Sequence, residues 1–118
     1  MPLLTALPPV IGKNNSVTLS CEAYRLKHKQ INLYSWSWSR SFSKDDVIKK
    51  SDKYKIYTEN SFPNSCQHSK CLAYLQIANT SKDDVGQYFC ELKVNRTTLG
   101  KKDVRFHHFG KLHMNHMT

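Results

Sequence analysis

Three groups of residues in this 118-residue chain carry side chains suited to chemistry. Cys66-Gln67-His68-Ser69-Lys70-Cys71 places two thiols and an imidazole within one short segment, donor types that suit zinc or copper. A structural zinc site takes four donors and only three stand close together, so a disulfide between Cys66 and Cys71 is preferred and no metal site is assigned. The run from His107 to Met117 holds four histidines and two methionines, a composition copper can use. Nothing in that run supplies groups to orient the imidazoles, so it reads as a strand end followed by a tail. The paired carboxylates Asp45-Asp46 and Asp83-Asp84 fall in polar connections. No nucleophile, base and orienting group stand in a catalytic spacing, and there is no glycine-rich phosphate loop. The chain is therefore expected to be no enzyme, with no catalytic residue and no cofactor.

The elements that would position these residues are strands. Val17, Leu19, Cys21 and Ala23 alternate with polar residues, as do Tyr34, Trp36 and Trp38. The same period of two returns at Tyr54 and Ile56, at Ala73, Leu75 and Ile77, at Tyr88, Cys90 and Leu92, and at Val104 and Phe106. Alternation of this kind marks strands with one buried face, and no long window carries a helical stripe. The fold class is all-β with at least six strands, in a single domain over residues 1–109 followed by a tail or linker at 110–118. With 39% hydrophobic residues the chain can fill one core. No apolar run is long enough to span a membrane, and residues 2–11, interrupted by three prolines, make a poor signal peptide.

Four cysteines, Cys21, Cys66, Cys71 and Cys90, permit three pairings. Spacing favours a long bridge from Cys21 to Cys90 enclosing a short one from Cys66 to Cys71, and two disulfides imply an oxidising, extracellular location. Asn14, Asn79 and Asn95 each begin an N-x-S/T sequence at a polar connection, which makes them candidates for glycosylation on a secretory route.

The segment from Leu75 to Cys90 carries Leu75, Ile77, Asp84, Gly86, Tyr88 and Cys90 in the spacing L-x-I-x-x-x-x-x-x-D-x-G-x-Y-x-C. It resembles the immunoglobulin superfamily at each fixed position, and with Cys21 and the tryptophan strand the resemblance spans about residues 8–109. It implies a two-sheet Greek-key sandwich, of variable or intermediate type, with an inter-sheet disulfide and with Trp36, Tyr88, Asp84 and Lys53 as core scaffold. Members of the family generally place the core tryptophan about a dozen residues after the first cysteine, which selects Trp36, the nearer of the two, as the ring on the bridge. Tyr88 would form a tyrosine corner, Lys53 would pair with Asp84, and residues 40–52 would hold an extra strand. The W-x-W pair and the ending Val104-Arg-Phe-His107 also resemble membrane-proximal domains of vascular endothelial growth factor receptors.

The resemblance implies a non-catalytic recognition domain of a cell-surface receptor, an adhesion molecule or a secreted decoy, binding a protein ligand through loops or a sheet face. The formal charge of +9 supports an alternative, binding of a heparan-sulfate-type polyanion, and a third reading is a spacer in a multidomain ectodomain. In such a sandwich the second and sixth connections share one end, so Arg25, Lys27 and Lys29 are expected to meet Arg96, Lys101 and Lys102 there. Nucleic acid is not an expected partner, because the aromatics belong to the core, and no direct membrane insertion is expected.

Overall fold

The computed structural model describes residues 3–24, 34–41, 46–58 and 70–107. Among them run seven strands: β1 (Leu3–Ile11), β2 (Val17–Tyr24), β3 (Tyr34–Ser39), β4 (Tyr54–Thr58), β5 (Lys70–Ile77), β6 (Gly86–Val94) and β7 (Thr97–Phe106). They form a four-stranded sheet in the order β1-β2-β5-β4 and a three-stranded sheet in the order β3-β6-β7, with antiparallel neighbours. No helix among the described residues is long and apolar enough to cross a membrane.

The alternating residues become the two inner faces. Val17, Leu19, Cys21 and Ala23 of β2 and Ala73, Leu75 and Ile77 of β5 are buried on one side. Tyr88, Cys90 and Leu92 of β6 and Val104 and Phe106 of β7 are buried on the other. A disulfide joins Cys21 to Cys90 across the gap, with 6.6 Å between their Cα atoms. Closing a loop over a separation of 69 residues removes about 4 kcal/mol of freedom from the unfolded chain.

The family spacing selects Trp36 as the ring on this bridge; the structure selects Trp38. In the β3–β6 ladder Trp38 lies opposite Cys90 and Trp36 opposite Leu92. Trp38 is 0% exposed, whereas Trp36 is only partly buried and packs between the main core and the smaller cluster of Ala23, Tyr34, Cys71, Leu92 and Val94. The reason is geometric: cross-strand register decides which ring meets the bridge, and the nine residues between β2 and β3 decouple that register from a count along the chain. Neither indole N–H has a hydrogen-bond partner among the described residues, so apolar contact holds both rings.

β1 pairs with β2 from Leu3 opposite Tyr24 and continues past Pro8 and Pro9, because these fall where the β1–β2 register shifts between Leu7 and Val10 and no ladder donor is required there. One further expectation changes. The extra strand expected within residues 40–52 is reduced, among the described residues, to one bridge between Ser39 and Val47, so the sheets have the four-plus-three complement of a constant-type sandwich. β1 also closes against β7: a Cβ on Gly100 would come within 2.6 Å of Leu4 Cδ1, so a larger residue there would make the Leu4 side chain shift.

Trp38→Ala is expected to cost about 3–5 kcal/mol in chemical denaturation with the bridge intact, and Trp36→Ala clearly less. The reverse order would contradict the register given above.

Candidate recognition surfaces

At the end of the sandwich where β6 begins, polar groups are tied together. Ser81 caps a 3-10 turn at Lys82–Asp84, accepting from the Asp83 N–H, while its own N–H donates to Asp84 Oδ2 at 2.8 Å. Lys53 Nζ lies 2.8 Å from the same buried carboxylate and also donates to the Asn79 carbonyl. The Tyr88 hydroxyl donates to the Asp84 carbonyl at 2.6 Å. Arg40 lies over the Tyr88 ring, 4.3 Å from its centroid, and donates to the Tyr88 hydroxyl and to the carbonyls of Asp83, Val85 and Gln87. Gly86, at φ +142°, leaves room for that guanidinium, since a Cβ there would stand 2.9 Å from Arg40 Nη2. Burial raises the Tyr88 pKa strongly, against the opposing pull of Arg40. These groups are bound to one another, so this end is scaffold.

Of the six cations expected at the opposite end, the three described ones do not stand together. Arg25, Lys27 and Lys29 lie outside the described residues. The connection between β6 and β7 is a two-residue turn, Asn95-Arg96, so Arg96 alone stands at the tip. Lys101 and Lys102 are inside β7, opposite Glu91 and Cys90. At strand rise, Lys101 is about 17 Å along the chain from Arg96. The segment expected to be the connection holding these lysines is thus strand, because residues 97–106 complete the ladder with β6.

Lys101 belongs instead to the outer face of the three-stranded sheet, where its ammonium lies 5.7 Å from the centroid of Phe89. An open groove of about 580 Å3 runs here, lined by Arg40, Ser41, Gln87, Phe89, Lys101 and Asp103. Beside it Glu91 accepts from Thr98 at 2.6 Å and from Ser37 at 3.5 Å, and Lys93 stands 4.0 Å away. The sequence contained a signal for Phe89: it sits between the inward Tyr88 and Cys90 and so faces outward, where its ring is nonetheless covered to 7% exposure. Arg40 gave no local signal, since its partners lie more than forty residues away in sequence.

The glycosylation candidates occupy both ends. Asn14 and Asn79 line one shallow depression of about 510 Å3 with Gly12, Lys13, Ser16, Gln76 and Ala78. Asn95 is at the β6–β7 turn, and all three have positive φ, which asparagine tolerates better than most residues. Cys71 is disulfide-bonded, while Cys66 and His68 lie outside the described residues, as does the tail from residue 108. No group of three potential metal ligands occurs among the described residues.

Tyr88→Phe is expected to cost about 1–3 kcal/mol, because it leaves the buried Asp84 carbonyl without its donor. With the folded-state pKa raised, the tyrosine contributes stability that is complete below the ordinary tyrosine value of about 10 and is lost as pH rises above it, where only the unfolded chain ionises. Denaturation midpoints from pH 8 to 11 should therefore fall less steeply for Tyr88→Phe than for the wild type.

No family model and no curated protein matches the chain. Among solved structures 85 chains match, so the likeness carries architecture without selecting a ligand. One is in the crystal structure of Dpr2 Ig1-Ig2 in complex with DIP-Theta Ig1-Ig3, with a TM-score of 0.60 and 16% identity, covering 88% of this chain and 31% of that chain. This chain thus spans less than a third of the length of the one it matches. With that correspondence over most of its residues, and with a disulfide joining facing sheets beside a buried tryptophan, the chain has the immunoglobulin fold.

Proposed function

We propose that the chain is a non-catalytic recognition domain that works outside the cytosol, in a receptor, adhesion molecule or secreted decoy, and binds an acidic segment of a partner protein. The contact surface is the outer face of the three-stranded sheet. The observation that carries this reading is the groove at Phe89: an aromatic floor, the Lys101 ammonium above it, and Ser37, Gln87, Asp103 and Glu91 around it. A partner side chain with an aliphatic stem would lie along the groove against the part of the ring left exposed, with its carboxylate toward the positive charge of Lys101. The charge of +9 draws an acidic partner toward the domain. Two observations support the location and the kind of partner. The Cys21–Cys90 bridge is stable in an oxidising compartment, and the similar chain described above comes from a complex between two proteins.

The charge by itself also favours a sulfated glycan, but of the six cations read as a polyanion site the three described ones stand apart, Arg96 at the turn and Lys101 and Lys102 within β7. Binding of the chain to a panel of purified ectodomains and secreted proteins separates the readings. A saturable partner is expected whose affinity falls at least tenfold for Lys101→Glu, about 1.4 kcal/mol, with the thermal midpoint unchanged. Salt-sensitive heparin retention that Lys101→Glu leaves intact, without any saturable protein partner, would replace this reading with the polyanion one. Absence of both would make the domain a spacer.

A further inference from the structure

We propose that Asn95, at the tip of the β6–β7 hairpin, is a site of N-linked glycosylation; this rests on the extracellular reading given above. The three N-x-S/T sequences are alike as strings and unlike in the fold. In Asn14-Asn15-Ser16 the serine is buried, its N–H donates to the Lys13 carbonyl and its carbonyl accepts from Gly12. Its Oγ stands 2.5 Å from where a Gly12 Cβ would be, so the pair is packed against itself. In Asn79-Thr80-Ser81 the serine caps the 3-10 turn, and buried Thr80 donates to the Asn15 carbonyl through both its N–H and its hydroxyl. Each residue following those two asparagines is accounted for by a structural contact. A glycan on either would also emerge from the same depression, since Asn14 and Asn79 line it together.

Asn95-Arg96-Thr97 differs on each count. All three residues are exposed, and the Thr97 hydroxyl makes no hydrogen bond among the described residues. The turn explains Asn95, at φ +48°, but not its neighbours: a two-residue turn with both residues at positive φ favours Asn-Gly, and here Arg96 takes φ +76°. Nothing in the hairpin requires a hydroxyl at position 97. What the segment does satisfy is the acceptor requirement, an asparagine with a threonine two residues on and no proline between. The tip of a hairpin is also the place where a bulky group displaces least protein.

The donor would be a lipid-linked oligosaccharyl diphosphate. Asn95 Nδ2 bonds to C1 of the reducing-end sugar, the C1–O bond to the diphosphate breaks, the lipid diphosphate leaves with the electron pair, and the amide proton passes to a base of the transferase. The glycan would shield the turn and Arg96 while the groove at Phe89, well along the strand, stays open.

The test is secretion of the full chain from a eukaryotic cell behind an added signal, followed by enzymatic glycan removal in heavy-oxygen water, which marks each formerly occupied asparagine as labelled aspartate. The expected result is label at Asn95, lost in Thr97→Ala and kept in Thr97→Ser, with the Cys21–Cys90 bridge formed in all three proteins. An unlabelled Asn95 in secreted, bridged protein would overturn the proposal and leave the extracellular reading standing. Free Cys21 and Cys90 thiols in the chain from its native source would instead overturn that reading, and native glycosylation with it.

Discussion

The contact between Trp38 and the Cys21–Cys90 bridge is the centre about which the two sheets pack. Each sheet is amphipathic and too small to stand in water alone, so both must bury one face. The bridge fixes which residues of β2 and β6 confront each other, and Trp38, opposite Cys90, fills the space beside it. The rest of the inner row, Leu19, Leu75, Tyr88, Val104 and Phe106, packs around that unit. Where β1 meets β7, Gly100 lies against the Leu4 side chain.

A buried core of this kind leaves polar groups to be satisfied at its ends. Asp84 does much of that, accepting from the Ser81 N–H and Lys53 while its carbonyl accepts from Tyr88. Arg40 then covers the Tyr88 ring and meets carbonyls on the approach to β6. The Lys53–Asp84 pair alone is worth little, since Lys53 is well exposed to solvent and screening. Its effect is to keep a buried carboxylate from standing uncompensated, which is costlier than the pair is favourable. With so many groups committed to one another, this end is poorly suited to recognition.

Function is therefore sought on a face. At the opposite end the described residues where β6 meets β7 form a two-residue turn, with one cation and one glycosylation sequence. The outer face of the three-stranded sheet offers what the turn lacks: an aromatic floor, a cation over it, and hydrogen-bonding side chains in fixed register. A strand-borne surface is also pre-organised, so a partner pays less ordering entropy there than at a long loop.

Much of the architecture was legible in the residues alone. Period-two alternation is a local property, and it marked β2, β3, β4, β5, β6 and the end of β7; β1 escaped because its prolines broke the pattern at the point where the register shifts. The spacing from Leu75 to Cys90 likewise lies within one stretch of chain, so it exposed Asp84, Tyr88 and Cys90 as scaffold. The sequence did not choose between Trp36 and Trp38 correctly, did not place Lys101 on a sheet face and did not reveal Arg40 over Tyr88. Those depend on register between strands far apart in the chain, and a shift of one residue would reverse which side chains face the bridge and which face solvent. Local pattern determined that this is a sandwich; only the pairing of β3, β6 and β7 decided what its surface presents.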